Sequence, residues 1–223
     1  IAALPRIDLP TTKTPAPRGI ALMLAALSAL GPFSIDTYLP SFQDIGQSLL
    51  ATPLEVQQTL TAYLIPFAIM ALWHGAISDA LGRRRVILVT LALFGLSVAG
   101  CLFATRIEHL WVLRALQGMS AGAGIVISRA IVRDLYDGAA AHRLMSHMTM
   151  MFALAPAIAP VIGGRLQEWF GWRSVFAFLV LATLALWLLL VGLVVGLLSV
   201  WAARRLIAPL DQLAAATVRF GID

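Results

Sequence analysis

Residues 56–105 read VQQTLTAYLIPFAIMALWHGAISDALGRRRVILVTLALFGLSVAGCLFAT. Its two apolar runs, Val56–Ser78 and Val86–Thr105, each match the ~20 residues that a helix needs to cross a bilayer. Between them stands Asp79-Ala-Leu-Gly-Arg-Arg-Arg85. The acid ends one helix, the glycine allows a tight turn, and the three arginines stay out of hydrocarbon. The stretch is a membrane hairpin.

Four more apolar stretches flank it: Gly19–Leu39, Leu110–Ser128, Leu144–Leu166 and Val175–Ala203. None shows the short alternation of a transmembrane barrel, so all six read as helices. The composition agrees: of 223 residues, 60% are hydrophobic and 12% charged, with a mean hydropathy of +0.89. A water-soluble domain runs nearer 25% charged. The reading is an all-α membrane protein, a six-transmembrane-helix bundle with a C-terminal cytoplasmic amphipathic helix. Six spans leave no room for a soluble catalytic domain, and no enzyme is expected. Cys101 is the single cysteine, which excludes a disulfide framework and a thiolate cluster. His74, His142 and His147 fall near the inner interface and His109 near the outer one, without metal-site spacing. No cofactor loop, nucleophile elbow or paired carboxylates appear. Residues 1–18 form a polar, Pro- and Thr-rich leader without the features of a signal peptide. The first residue is Ile1, so the chain is expected to be a fragment, a processed product or a trimmed chain.

Basic residues set the orientation. With the N-terminus in the cytoplasm, Arg6, Lys13, Arg18, Arg83, Arg84, Arg85, Arg129, Arg133, Arg143, Arg204, Arg205 and Arg219 lie inside. Arg106, Arg165 and Arg173 lie outside and Arg114 lies within a span, completing the 16. The positive-inside rule then puts both termini in the cytoplasm. The net charge of +5 follows from this topology. Basic residues split among loops do not form a nucleic-acid groove, and no nucleic-acid partner is expected. Trp111, Trp169 and Trp172 fall at the outer interface and Trp201 at the inner one, as aromatic belts require.

Two charges sit inside apolar sequence. Asp36, in Gly31-Pro-Phe-Ser-Ile-Asp-Thr-Tyr-Leu-Pro40, costs about 2.5–3.5 kcal/mol on insertion scales and should face the protein interior. It reads in two ways: as an interfacial cap beside Pro40, or as the partner of Arg114, which enters the membrane at a similar depth. Charge pairing with Arg114 would hold Asp36 ionised while burial opposes ionisation, a balance suited to a group that exchanges protons. Gln117 follows Arg114 by one turn on the same face. Gly118, Gly122 and Gly124, with Ser120 and Ser128, are spaced to let another helix approach closely. In Ala155-Pro-Ala-Ile-Ala-Pro-Val-Ile-Gly-Gly164, two prolines and a glycine pair are expected to break helix hydrogen bonding and leave a flexible, closely packable segment.

Several of these motifs together resemble the major facilitator superfamily. Gly75, Asp79, Gly82, Arg83 and Arg84 are similar to its signature loop, which implies a conformational latch; Ala80 stands where the family commonly has Arg. Leu113-Arg-Ala-Leu-Gln-Gly118 resembles the family's fourth-helix motif, whose Arg is associated with proton coupling. Pro156, Pro160, Gly163 and Gly164 resemble the antiporter motif, with Ala159 replacing its first Gly, and Trp172-Arg-Ser-Val-Phe176 is similar to the Bcr/CflA-type drug–proton antiporter branch. The resemblance implies half of a major facilitator fold and efflux of amphipathic small molecules or drugs in exchange for protons. On that basis Asp36 and Arg114 are the proton-coupling residues, while Tyr38, Tyr63 and Gln117 are assigned to the substrate cavity. It covers the N-terminal six-helix half, residues 19–187. The substrate cavity of such a transporter lies between two halves, so a missing C-terminal half or a homodimer is implied alongside membrane lipid.

The end of the chain reads differently. Val175–Ala203 is 29 residues, roughly 43 Å as a helix against a ~30 Å core. Residues 188–203 therefore look like an extended end of the sixth span, with a possible fusion near Leu188–Val191. In 204–223, Leu206, Leu210, Leu213, Thr217 and Phe220 recur at helical spacing. This segment resembles the HAMP start of a bacterial sensor kinase; a linker of the transporter is the alternative. The competing functions are a transporter half, the membrane input module of a sensor kinase, and an inactive truncated hybrid.

Overall fold

A computed structural model describes the backbone of residues 18–220 and the side chains from Gly19 to Gly196 and of Ser199. The leader 1–18 and the apolar face of 204–223 lie outside the described residues and side chains. In chain order the helices are α1 (Arg18–Asp36), a 3-10 turn (Leu39–Ser41), α2 (Phe42–Ser48), α3 (Pro53–Leu81), α4 (Arg83–Leu102), α5 (Ile107–Leu135), α6 (Gly138–Phe170) and α7 (Arg173–Phe220). No strand occurs among the described residues. Six helices are long and apolar enough to cross a membrane. Most run several residues past the apolar stretches that mark them, because polar flanks stay helical at the interface. The short α2 has no apolar period to reveal it.

Local chemistry sets the ends. Thr52 caps α3 in a reciprocal box, its hydroxyl accepting from the Glu55 amide while the Glu55 carboxylate accepts from the Thr52 amide, with Pro53 in the first turn. Gly82 closes α3 and opens α4 at φ +90°, a conformation a side chain resists. At the opposite end, the Trp111 indole donates to the Glu55 carbonyl and ties the start of α5 to the start of α3. Arg173 donates to the carbonyls of Leu102 and Ala104, tying α7 to the end of α4.

The core centres on α5, which packs on α3, α4 and α1, while α6 packs on α1 and α7 on α4. Lipid-like surroundings give helices no hydrophobic reason to associate, so close van der Waals approach must do so. At Gly118 an added Cβ would run into the Tyr63 carbonyl, at Gly124 into that of Leu27, and at Gly163 into that of Thr37. These three glycines set the α5–α3 and α5–α1 separations and the approach of α6 to the residue that follows α1.

Three expectations need correcting. α6 is one continuous helix through Pro156 and Pro160. Each proline removes a single N–H donor, and a membrane helix tolerates the gap. The face toward α1 carries Ala155, Ala159 and Gly163, whereas Gly164 meets open space. His74 is not interfacial: it is 1% exposed, inside the bundle. Trp172 is buried as well, edge-on against Phe176; of the three outer tryptophans only Trp169 is well exposed, Trp111 being half-buried, and the Trp201 side chain lies outside the described ones.

Candidate functional site

Arg114 sits about two turns into α5 and is completely buried. Its guanidinium lies 3.9 Å from the ring centre of Tyr38, 5.2 Å from that of Tyr63 and 5.9 Å from that of Phe176. The rings come from the segment after α1, from α3 and from α7. Cation–π attraction is strongest where water is excluded. Nη1 donates to Gln117 Oε1 at 2.9 Å, one turn along the same helix. Among the described residues Nε and Nη2 have no partner, and neither has Gln117 Nε2.

The cage is itself fixed by hydrogen bonds. The Thr59 hydroxyl donates to the Val56 carbonyl at 2.6 Å. Its oxygen is therefore left to accept from the Tyr38 hydroxyl, 2.8 Å away. The Tyr63 hydroxyl donates to the Gly31 carbonyl at 3.1 Å, and Ser34 donates to the same oxygen at 2.7 Å. Tyr38, Phe176 and Phe42 extend the cage as an aromatic cluster.

The structure thus brings Arg114, Gln117, Tyr38 and Tyr63 together, but not as the sequence arranged them. Tyr38, Tyr63 and Gln117 are 0% exposed and wrap Arg114 instead of lining an open cavity. No ion pair joins Asp36 to Arg114 among the described residues. Asp36 is the last residue of α1 and partly exposed, whereas the face of the guanidinium is taken by Tyr38, two residues further on. Similar depth does not imply a shared direction. Phe176, Thr59 and Ser34 complete the cage without having been singled out for it; the sequence signal was an aromatic or hydroxyl in three different spans.

A second cluster lies at the α3–α4 turn. Arg83 pairs with Asp79 at 2.8 Å and with Asp134, at the end of α5, at 2.6 Å. Its Nη1 also donates to Ser78 Oγ at 2.9 Å. One arginine therefore joins α3, α4 and α5. Asp79 and Asp134 are 63% and 50% exposed, so each pair contributes about 0–1 kcal/mol and is readily exchanged. Gly75 lies against Val126 of α5, and Arg84 is exposed. Asp134 was not legible as a partner of Arg83, because the distance between them in sequence hides the contact. At the far end, Gln167 of α6 donates to the Asp44 carboxylate of α2 at 2.9 Å.

Residues 22–209 match the family described as the Major Facilitator Superfamily. The uncharacterized MFS-type transporter YdgK of Bacillus subtilis is 40% identical over 77% of this chain and 43% of that protein. A bicyclomycin resistance protein homolog of Haemophilus influenzae is 36% identical over 70% of this chain and 39% of that protein. Multidrug resistance protein D of Escherichia coli is 34% identical, with 72% and 41% covered. The chain spans well under half the length of these curated relatives. In structure, the human organic anion transporter MFSD10 superposes with a TM-score of 0.60 at 21% identity, over 79% of this chain and 47% of that one; the likeness is one of fold. The family match carries through Leu188–Val191, the suggested junction, to residue 209, and the sensor-kinase reading of the chain's end finds no support. With that match lying over six membrane-length helices, the chain is a multi-pass membrane protein that belongs to the major facilitator superfamily.

Proposed function

We propose that the chain supplies the N-terminal half of a proton-coupled exporter of amphipathic small molecules in the bacterial inner membrane, with both termini in the cytoplasm. The relatives named for multidrug and bicyclomycin resistance support the substrate class. The observation that carries the coupling is the buried guanidinium of Arg114, with two nitrogens unpartnered and no ion pair to a carboxylate among the described residues. An uncompensated buried cation calls for an anion. Asp36, at the end of the neighbouring α1, is the acid positioned to answer it when α1 and α5 shift. A carboxylate brought near Arg114 is held ionised and gives up its proton; drawn away, it accepts one again. Proton exchange is thereby linked to helix position. The Arg83 cluster acts as the latch, since its exposed pairs are weak enough to break and reform. Tyr38, Tyr63 and Gln117 meet substrate only in a state that opens the cage.

The chain alone is proposed not to transport. Alternating access needs two halves rocking around a midplane site, and α3 and α6 leave large apolar side chains such as Ile69, Leu72, Phe152 and Val161 exposed. A C-terminal half or a second copy of the chain would cover them. The test uses the full-length protein in liposomes with an imposed pH gradient and a fluorescent cationic drug. Asp36→Asn should abolish gradient-driven movement without loss of membrane insertion. Normal pH-driven export by that variant would return Asp36 to the capping role.

A further inference from the structure

Between α3 and α4 runs a groove that neither the caged arginine nor the charged turn uses. It consists of two adjoining apolar cavities of about 290 Å³ each, which share Met70, His74 and Thr90. One extends over α5 to Leu96 and Leu116. The other runs to the α3–α4 turn, where Arg85 forms its rim. From Arg85 to Leu96 is about eleven residues of α4, or about 16 Å, close to one leaflet's share of a ~30 Å hydrocarbon core. Leu93, Leu96, Leu116 and Met119 present exposed apolar surface along it.

Two polar groups mark the groove as more than a contact for hydrocarbon. His74 is 1% exposed, and among the described residues its ring nitrogens make no well-formed hydrogen bond, only a weak approach to the Met70 backbone one turn back. A buried imidazole carries at least one N–H, and leaving that donor unmet is costly. Arg85 makes no ion pair among the described residues, whereas its neighbour Arg83 is engaged by Asp79 and Asp134. Arg85 also lies in the first turn of α4, which has no side-chain cap at Gly82, so free backbone amides add positive potential there. Thr90, beside His74 in the groove, is five residues beyond Arg85, about 7–8 Å deeper along the helix. A cation at the rim, a buried donor one step down and an apolar trough below reproduce the order of a phospholipid: phosphate, ester carbonyl, acyl chain.

We propose that this groove binds an anionic phospholipid from the leaflet that meets the α3–α4 turn. The phosphate sits on Arg85, His74 turns its covered ring toward the groove to donate to an ester carbonyl, and one acyl chain follows Leu93, Leu96 and Leu116. Basic pockets between membrane helices recognise lipid headgroups in this way. The site depends neither on transport nor on which leaflet is cytoplasmic.

Native mass spectrometry of the purified 223-residue chain, in detergent with equal phosphatidylglycerol and phosphatidylcholine of matched chains, tests it. The unaltered chain should retain phosphatidylglycerol preferentially, and Arg85→Gln should cut that preference about fivefold, the effect of one arginine near a membrane surface. Arg84→Gln, which removes the same charge outside the groove, should leave the preference intact. Ester-linked phosphatidylglycerol should outcompete its ether-linked analogue on the unaltered chain, and His74→Leu should erase that difference. Equal retention of the two headgroups would overturn the proposal, as would equal losses in the two arginine variants. Indifference of the unaltered chain to ester or ether linkage would remove His74 from the site.

Discussion

Replacing Arg114 by methionine should leave stability within about 2 kcal/mol of the unaltered chain, although the side chain is completely buried. The arginine carries an unmet debt of hydrogen bonds at Nε and Nη2. Nε carries one N–H and Nη2 two; counted per nitrogen at about 1–3 kcal/mol, because the ring faces of the cage meet part of the demand, the two cost about 2–6 kcal/mol. Against them stand the bond to Gln117, worth about 1.5–3 kcal/mol for a charged donor. Stacking on Tyr38 adds about 2 kcal/mol when desolvated. Both sides come to about 4 kcal/mol at their midpoints. Methionine, flexible and apolar, fills most of the vacated space among the rings. The assay is an SDS titration in mixed micelles followed by tryptophan fluorescence, with Asp36→Asn and the double variant completing a cycle. An arginine held in a buried ion pair would instead lose about 3–5 kcal/mol on removal. A loss of that size, or coupling between Asp36 and Arg114 above about 1 kcal/mol, would refute the unpaired cage.

Gly163→Ala should destabilise the chain by about 1–3 kcal/mol, because the new Cβ meets the Thr37 carbonyl. Gly164→Ala, facing open space, should stay within about 0.5 kcal/mol, and the same titration separates them. For orientation, a cysteine at Thr52 should react with an impermeant maleimide from outside intact cells, and one at Asp137 only after permeabilisation. The reverse pattern would invert the proposed topology.

The spans were legible because hydrocarbon leaves the backbone one economical solution, and twenty apolar residues between Arg-rich joints announce it. The Gly82 turn and the Arg114–Gln117 contact were legible too, since each depends on residues a turn or less apart. What sequence hides is rotational phase. Depth along a span is countable, so Asp36 and Arg114 looked like partners; the direction each side chain faces is set by packing among several helices. The aromatic cage joins residues 38, 63, 114 and 176 and the Arg83 cluster joins residues 79, 83 and 134. Neither separation leaves a periodic trace. His74 misled for a related reason: a histidine near the end of a span looks interfacial unless its face is known. The prolines of α6 misled in the opposite sense, because a rule about lost donors was read as a rule about lost helices.

The glycines at 118, 124 and 163 also bear on how such a protein is free to evolve. A single-base change in a glycine codon that replaces the glycine with another amino acid always installs a Cβ, and at these positions that atom collides with a neighbouring carbonyl. Selection for any altered property has no small step available there. The same helices offer Leu116 and Met119 on α5, and Phe152 and Ile158 on α6, as exposed positions where a side chain changes size without meeting backbone. Tolerated variation is therefore channelled along stripes of α5 and α6, while the seams between the helices stay frozen.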